Sequence, residues 1–385
     1  MYILTRYAVW EVLKLFLAAL VGLTLIFTLA IGVSRALGMG LPPAVMLRLF
    51  PLMLPEMLGI TLPVAMLFAV SCVFGRMTGM NEIVAIKSLG ISPMALVWPV
   101  LVLASFLSLG TIWMYEIAAT WCRPSVKQLL YDSAEEIAYG MLRATHQCSC
   151  PPEDPLFSLN VKRVEGQTLV GVYAVVFSRG GQPKVDVFAE RATLSKDPNR
   201  PELTIAFENC EITSGDQVSM QRPGEFQKSI SLVPRAADPY HRDWIATRDI
   251  PLRIAEIEDS LRQLEPLRDA KKTLGESVAT EEREISNWRL TRSKLKAEPY
   301  RRWSNGFTCL CFAMIGIPVA MIWRHADVLT NFFACFLPIL SIYYPLLMLS
   351  EKLAIFGPLP PVSFWMGNVL LFGIAAILLR GIIRH

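Results

Sequence analysis

Residues 94–115 read MALVWPVLVLASFLSLGTIWMY and contain no charged side chain. About 20 apolar residues in a helix cross the hydrocarbon core of a bilayer, and a helix satisfies its backbone polar groups internally. This stretch therefore predicts a transmembrane helix. Five more stretches have the same character, and together they predict a polytopic α-helical membrane protein with six spans: Leu13–Val33, Pro51–Phe74, Phe307–Trp323, Val328–Leu349 and Val362–Leu379.

The charged residues are concentrated between residues 121 and 303, where 27 basic and 27 acidic side chains lie. Such a block is typical of a water-exposed domain inserted between spans three and four. Lys and Arg are enriched in short cytoplasmic loops, which orients the chain. With a cytoplasmic N-terminus the short inner segments hold Arg6, Lys14, Arg76, Lys87, Arg324, Arg380 and Arg384, and the short outer loops hold Arg35, Arg48 and Lys352. We therefore predict that both termini are cytoplasmic and that the block lies outside.

The first part of the block, residues 150–235, has the alternation of β-strands. Leu169–Phe177 is a run of β-branched and aromatic residues, and Val185, Val187 and Ala189 alternate with polar neighbours. Turn residues separate these runs, and several short strands at regular spacing are typical of a sandwich or jelly roll. The pattern leaves two functions open: a solvated, sensor-like domain, or a scaffold that holds an apolar ligand.

Residues 251–297 change to a helical period. Ile257 and Leu261 belong to a first apolar series, and a second series around Ile285 repeats the spacing. This pattern predicts a helical hairpin with an apolar seam, kinked or interrupted at Pro266. The hairpin is either an exposed spacer or an arm that binds a partner.

Motifs for several kinds of chemistry are absent from the sequence. The phosphate-binding string G-x-x-x-x-G-K-[ST] does not occur, so energy from ATP would have to come from another chain. His146, Cys148 and Cys150 lack the second ligand pair of a zinc site, and we expect no metal. A net charge of +4 is too small to indicate a nucleic-acid-binding protein. In an oxidising compartment, one or two disulfides can form among Cys122, Cys148, Cys150 and Cys210.

Three ionisable residues are candidates for contact with lipid. Glu56 lies inside an apolar stretch, where a carboxylate is costly and usually faces a cavity or a partner, although it can equally lie at the outer interface. Arg35 and Arg48 bracket the first outer loop. Arginine binds phosphate through paired hydrogen bonds, so these two side chains either clamp lipid phosphates or act as interfacial anchors.

The most informative stretch is the loop between spans two and three, residues 75–92, GRMTGMNEIVAIKSLGIS. Asn81 can cap a short helix, and Glu82 in its first turn suits the helix dipole. Gly90 can end this helix, and its apolar residues are spaced to line one face: Ile83, Ile86 and Leu89. The helix either transmits motion from a soluble partner or is a connector that lies on the membrane surface.

This loop resembles the signature of the lipopolysaccharide-export permease family LptF/LptG, also called YjgP/YjgQ. The family pattern G-R-[LM]-x-x-x-x-E-[LIV]-x-A-[LIM]-[RK]-x-x-G-[IV]-S is similar to the loop almost throughout. Other similarities cover nearly the whole chain: Arg6-Tyr7 with Glu11, Val187–Arg191 followed by Leu203–Ile205, Glu298 with Arg301 and Arg302, Tyr343 or Tyr344, Gly357–Pro361, and Trp365 with Asn368. Segment 251–297 departs from the pattern, because it is longer and more charged than the family's usual linker.

The resemblance implies a multi-pass permease of the bacterial inner membrane with a periplasmic β-jelly-roll domain. Two such permeases, or two copies of one, pair and bind a cytoplasmic LptB-like ATPase dimer. That dimer uses ATP and Mg²⁺, so no cofactor is expected on this chain. Lipopolysaccharide or a similar glycolipid is then passed to a periplasmic jelly-roll bridge protein. The expected organisation is spans one to three in residues 1–120, the β-domain in 121–250, the hairpin in 251–300 and spans four to six in 301–385.

The resemblance also implies roles for individual residues. The loop helix is similar to the family's coupling helix, whose acidic residue, here Glu82, meets a basic residue of the ATPase. Arg35 occupies a place comparable to basic residues that contact lipid phosphates in the family. The remaining candidates for ATPase coupling are Arg76, Asn81, Ile83, Ile86 and Gly90.

The leading hypothesis is therefore the permease subunit of an ATP-driven ABC transporter for an envelope glycolipid. A second class of protein remains open, namely a membrane-anchored scaffold or signalling protein whose outer domain binds envelope partners. Retention of a soluble ATPase in mild detergent distinguishes the two. No convergent catalytic set occurs in the sequence, so an enzyme is not expected.

Overall fold

The structure is a computed structural model, and it describes residues 2–39, 43–150, 157–177, 183–196, 202–214, 218–231, 242–274, 278–323, 328–357 and 359–384. The α-helices in these ranges are α1 (Tyr2–Met39), α2 (Pro43–Gly79), α3 (Glu82–Ser88), α4 (Met94–Ile117), α5 (Arg123–Asp132), α6 (Ala134–Thr145), α7 (Ile250–Thr273), α8 (Ala279–Ile322), α9 (Val328–Pro338), α10 (Tyr344–Phe356) and α11 (Met366–Arg384). Two π-helical turns, Ala118–Cys122 and Ile339–Tyr343, join α4 to α5 and α9 to α10. The strands are β1 (Gln147–Cys150), β2 (Phe157–Glu165), β3 (Thr168–Phe177), β4 (Pro183–Lys196), β5 (Glu202–Ser214) and β6 (Val218–Ser231).

Six helical segments of the described chain are long and apolar enough to cross a membrane, which confirms the six predicted spans. In the third of them, the exposed rings of Trp98 and Trp121 are separated by about 35 Å of helix. That distance places them near the two interfaces of a bilayer, where Trp is enriched. The segments are Ile3–Ser34, Ala44–Gly79, Met94–Leu130, Glu281–Ile322, Leu329–Phe356 and Pro361–Ile382.

The described residues belong to two compact units. The first comprises Met1–Thr28, Leu54–Arg123 and Tyr240–His385, and it contains most of the span residues. Its apolar core includes the buried rings of Phe16, Phe74 and Phe312. The second unit comprises Leu29–Met53 and Pro124–Pro239, and it contains the β-sheet. The inserted β-structure predicted from the sequence is confirmed.

The six strands form one antiparallel sheet in the order β1-β2-β3-β4-β5-β6. Each described strand therefore pairs with its neighbours in the chain. This connectivity is a meander, whereas a jelly roll would need crossovers between non-consecutive strands. Short turns favour the meander, because antiparallel neighbours can be joined without a long connection.

Helix α6 covers the apolar face of this sheet. Leu142 is fully buried, and the Tyr139 hydroxyl donates to the carbonyl of Gln167 at 2.6 Å and accepts from the Leu194 amide at 3.0 Å. Burial raises the pKa of Tyr139, because removal from water disfavours the phenolate. The face that could have held an apolar ligand is thus filled by the chain's own side chains where it is described.

The predicted hairpin is formed by α7 and the first part of α8. Its seam buries Ile257, Leu261 and Ile285, and ion pairs cross the hairpin, including Arg292 to Glu258 at 2.6 Å. Arg292 lowers the pKa of Glu258, chiefly through the attraction of its charge. The predicted interruption of α7 at Pro266 is wrong, because the helix continues through this residue to Thr273. Helix α8 likewise continues from the hairpin into span four without a break.

The cysteines with described side chains are free thiols. Cys122 and Cys210 are buried and unbridged, so they do not form the disulfides considered from the sequence. They behave as small apolar residues in their respective cores. The side chains of Cys148 and Cys150 lie outside the described residues. No group of metal-ligating side chains is found in the described ranges.

Candidate coupling helix and charged cluster

Asn81 is the N-cap residue of helix α3, as the sequence predicted. The backbone of Asn81, and not its side chain, stabilises the start of the helix. Asn81 adopts a left-handed conformation with φ 59°, and its side chain makes no capping hydrogen bond. Its carbonyl accepts from the Ala85 amide at 2.9 Å, and its own amide donates to the carbonyl of Thr78 at 3.0 Å. Asparagine tolerates this conformation better than most residues, which explains its presence at a sharp turn out of α2.

Helix α3 is anchored to the bundle by two isoleucines. Ile83 and Ile86 are buried in the apolar core, and they line one small cavity together with Phe74 of α2, Leu96 of α4 and Met321 of α8. Three spans therefore meet the inner face of one short helix. Leu89 was predicted on the same face, and this is wrong: its side chain is 75% exposed. The helix ends at Ser88, and Leu89 is the C-cap residue that follows it.

The predicted end of α3 at Gly90 is confirmed by its hydrogen bonds. Gly90 has φ +74°, its amide donates to the carbonyl of Lys87 at 2.9 Å, and the Ile91 amide donates to the carbonyl of Ile86 at 3.2 Å. These two bonds form a Schellman motif, which requires a left-handed residue at this position. The Lys87 ammonium also donates to the carbonyl of Ile382 in α11 at 3.3 Å.

The outward side of α3 combines apolar and acidic groups. Met80 and Leu89 flank the helix with strongly exposed side chains, and Val84 is also exposed. Glu82 lies in the first turn. Exposed apolar side chains near a partly exposed carboxylate, on a helix anchored by two buried isoleucines, are suited to a protein partner with a basic group.

Arg76, the last basic residue of α2, points to span one. Its guanidinium donates to the Glu11 carboxylate at 2.8 Å, and Lys14 lies 3.3 Å from the same carboxylate. This ion pair ties the end of α2 to α1 just before the turn at Asn81. Arg76 is thus placed to hold the base of the loop helix.

The three candidates for contact with lipid differ in the surroundings of their side chains. Glu56 pairs with Arg123 at 3.3 Å. Arg48 has an exposed side chain on α2. Arg35 lies in α1, and its side chain is outside the described residues. The structure thus brings Glu56 into a different set of contacts, a charged cluster that sequence reasoning did not find.

Arg302 lies at the centre of this charged cluster. Its side chain is 5% exposed, and it donates to Glu298 at 2.9 Å, to Glu116 at 3.0 Å and to the Thr247 hydroxyl at 2.9 Å. It also donates to the carbonyl of Ile245 at 2.8 Å. The cluster joins α4, α8 and the segment 242–249, which we call the return segment because it leads from the sheet to α7.

A second set of ion pairs extends the cluster to span two. The buried Glu298 accepts two hydrogen bonds from Arg301, at 2.8 and 2.7 Å. Arg301 also donates to the carboxylate of Asp243, whose carbonyl accepts from Arg123. Arg123 in turn pairs with Glu56. These charges satisfy one another, as groups removed from water require.

Only part of this cluster had a signal in the sequence. Glu298, Arg301 and Arg302 form a compact motif, but Glu116 and Asp243 belong to no motif found in the sequence. The hydrogen bond between Arg302 and Glu116 joins residues 186 positions apart. No local pattern can predict such a pairing.

A groove of about 700 Å³ lies on the sheet, and it is lined in part by Lys162, Tyr173, Phe188 and Glu190. The rings of Tyr173 and Phe188 stack with centroids 4.4 Å apart. Gly171 in β3 adopts φ +66° beside the Lys162 side chain. The groove is open and mixed in polarity, unlike the apolar interior expected for a ligand held between sheets.

Comparison with protein families gave a match that covers nearly the whole chain. The family described as lipopolysaccharide export system permease LptF/LptG matches residues 6–381. The matched range includes α3, the sheet, the hairpin and the charged cluster. Comparison with curated proteins gave no match.

Proposed function

This chain belongs to the LptF/LptG family of lipopolysaccharide export permeases, and on that premise we propose that it is the membrane subunit through which a separate ATPase drives export of a glycolipid. The family and the six spans make it a multi-pass membrane permease component rather than an enzyme. The glycolipid is lipopolysaccharide or a related envelope lipid. ATP and Mg²⁺ are bound by the ATPase, and this chain contributes no cofactor site.

The observation that carries the proposal is the geometry of α3. Ile83 and Ile86 are buried beside side chains of three spans, while Glu82 is partly exposed and Val84 and Leu89 are exposed. A force applied to the outward side is therefore delivered to α2, α4 and α8 together. Such a displacement is transmitted because the isoleucines belong to the same apolar core as the three spans, and the cavity between them is too small for a water molecule.

The orientation follows from this role. The ATPase is cytoplasmic, so α3 and both termini lie in the cytoplasm, and the sheet lies in the periplasm. The bias of Lys and Arg in the short loops supports the same orientation. We propose that the sheet passes the lipid to a jelly-roll bridge protein, which extends the sheet at an exposed strand edge.

We propose a second permease of this family, or a second copy of this chain, as the membrane partner. Arg48, and Arg35 by its place in the sequence, are the proposed contacts for lipid phosphates. We do not extend this role to Glu56, because its carboxylate pairs with Arg123.

The experiment is a charge reversal on α3. Glu82→Lys is expected to abolish retention of the ATPase in mild detergent and to stop ATP-dependent lipid release from proteoliposomes, with an unchanged melting temperature. Glu82→Gln, which keeps the shape of the side chain, should lose part of both activities. Lys352→Glu, at the other side of the membrane, serves as the matched charge-reversal control and should retain both.

Full ATPase retention and full transport in Glu82→Lys would refute the coupling role. Absence of any retained ATPase from the unaltered protein would instead favour the alternative, a membrane-anchored envelope scaffold or signalling protein. The two failures are therefore distinguishable.

A further inference from the structure

A buried amide in span five lacks hydrogen-bond partners. Asn331 of α9 is fully buried, and neither its oxygen nor its nitrogen finds a partner among the described residues. Unpaired polar groups in a protein interior are costly, and native structures keep few of them. In a membrane span, such side chains usually hydrogen bond a neighbouring helix.

Asn331 lies against span two at a glycine. A methyl group on Gly75 would lie 2.6 Å from the Asn331 amide nitrogen, so the absence of a side chain at Gly75 makes room for the amide. One turn earlier in α2, the Ser71 hydroxyl contacts the Cys335 thiol, one turn later in α9. The two helices thus run in opposite directions where they meet.

Ser71 is a second poorly paired group at this contact. It is fully buried, and among the described residues its hydroxyl donates a hydrogen bond to the Cys335 sulfur at 3.9 Å. Thiols are weak hydrogen-bonding groups, whereas a hydroxyl and a primary amide pair well. A displacement of α9 along α2 by one turn, about 5.4 Å, would place Asn331 opposite Ser71.

Helix α9 is a short unit. It has 11 residues, it ends at Pro338, and the π-helical turn Ile339–Tyr343 separates it from α10. Interruptions of this kind break the regular hydrogen-bond ladder of a long span and are frequent at functional sites. A shift of α9 can therefore be absorbed at the π-helical turn.

We propose that spans two and five have two contact registers: the one in this structure, and one displaced by a helical turn in which Asn331 hydrogen bonds Ser71. One-turn displacements between packed helices are a recognised form of conformational switching. Gly75 lies in the last turns of α2, which lead directly to α3, so the change of register reaches the loop helix. The existence of two registers does not depend on the proposed transport function.

The test uses the native Cys335 as a reporter, and its main variant leaves Asn331 and Ser71 unchanged. All other cysteines are replaced, and Leu67→Cys places a thiol one turn beyond Ser71, where Cys335 arrives in the displaced register. Membranes that contain the full chain are oxidised, and disulfide formation is measured by differential alkylation and mass spectrometry. Ser71→Cys is the positive control, because residue 71 faces Cys335 in the register of this structure. Val64→Cys lies about one turn beyond Leu67, and a disulfide formed there would report non-specific movement of the two helices.

We expect disulfides from Leu67→Cys and Ser71→Cys and little or none from Val64→Cys. Adding Asn331→Ala or Ser71→Ala to Leu67→Cys should lower its disulfide yield several-fold, because the displaced register loses its hydrogen bond. The proposal is overturned if Leu67→Cys stays reduced while Ser71→Cys is oxidised. Equal yields with and without Asn331, or equal yields at Val64→Cys and Leu67→Cys, would overturn it as well.

Discussion

Replacement of Arg302 by methionine tests whether the charged cluster stabilises the bundle. Arg302 is 5% exposed and donates to Glu298, Glu116 and Thr247, as well as to backbone carbonyls of the return segment. Methionine has a similar length and fills the same space without any donor. The substitution therefore removes the hydrogen bonds while it preserves most of the packing.

The expected cost follows from the groups that are left behind. Removal of one member of a buried ion pair typically costs about 3–5 kcal/mol, because the remaining charge is left without a partner. Here Glu298 keeps its two bonds to Arg301 and Glu116 keeps those to Thr247, so the lower end applies. We expect a loss of about 3 kcal/mol in the free energy of unfolding. For a chain of 385 residues this corresponds to a melting temperature lower by about 4 °C.

A thiol-reactive fluorophore provides the assay, because the six cysteines with described side chains are all buried. The dye reports unfolding in mild detergent as these thiols become accessible. Arg289→Met is the matched control: Arg289 pairs with Glu265 at 2.7 Å, but its side chain is 58% exposed. Exposed pairs contribute about 0–1 kcal/mol, so this variant should melt within about 1 °C of the unaltered protein.

The refuting result is a melting temperature for Arg302→Met that equals that of Arg289→Met. The pairwise part can be isolated by combining Arg302→Met with Glu116→Gln. If the hydrogen bond between these residues stabilises the fold, the double variant should lose less than the sum of the two single losses. Strict additivity would mean that this bond is not coupled to stability.

Three further predictions concern single positions. Gly90→Ala should lower the stability of the loop helix by about 1 kcal/mol, because alanine is strained at φ +74° although the space around the residue is open. The dye assay and limited proteolysis of the loop measure this loss. Gly306→Ala should destabilise the protein strongly, because its methyl would overlap a side chain of α4, whereas Gly373→Ala, in open space, should not. Arg292 lowers the pKa of Glu258 below its ordinary 4.5. The stabilising contribution of this pair is therefore present at neutral pH and is lost as the pH falls below about 4.5. The melting temperatures of Glu258→Gln and of the unaltered protein should differ at neutral pH and converge at low pH.

The loop helix illustrates both the reach and the limit of sequence reasoning. Its position, its acidic first turn and its end at Gly90 were predicted, because capping and dipole effects act within one or two turns. The side-chain cap expected from Asn81 and the placement of Leu89 beside the two isoleucines were predicted incorrectly. Both depend on where the helix begins and ends in contact with the bundle, which side-chain spacing alone does not reveal.

The sequence by itself determined the six spans, the inserted β-structure and the helical hairpin. Each of these depends on hydropathy and period over about 10 to 20 neighbouring residues, since a helix in lipid satisfies its own backbone. Only the tertiary structure decided the meander connectivity of the described strands, the charged cluster around Arg302, and the burial of Asn331 beside Gly75. These features depend on contacts between side chains far apart in the chain, and their free energies arise from packing and desolvation that exist only after the helices have assembled.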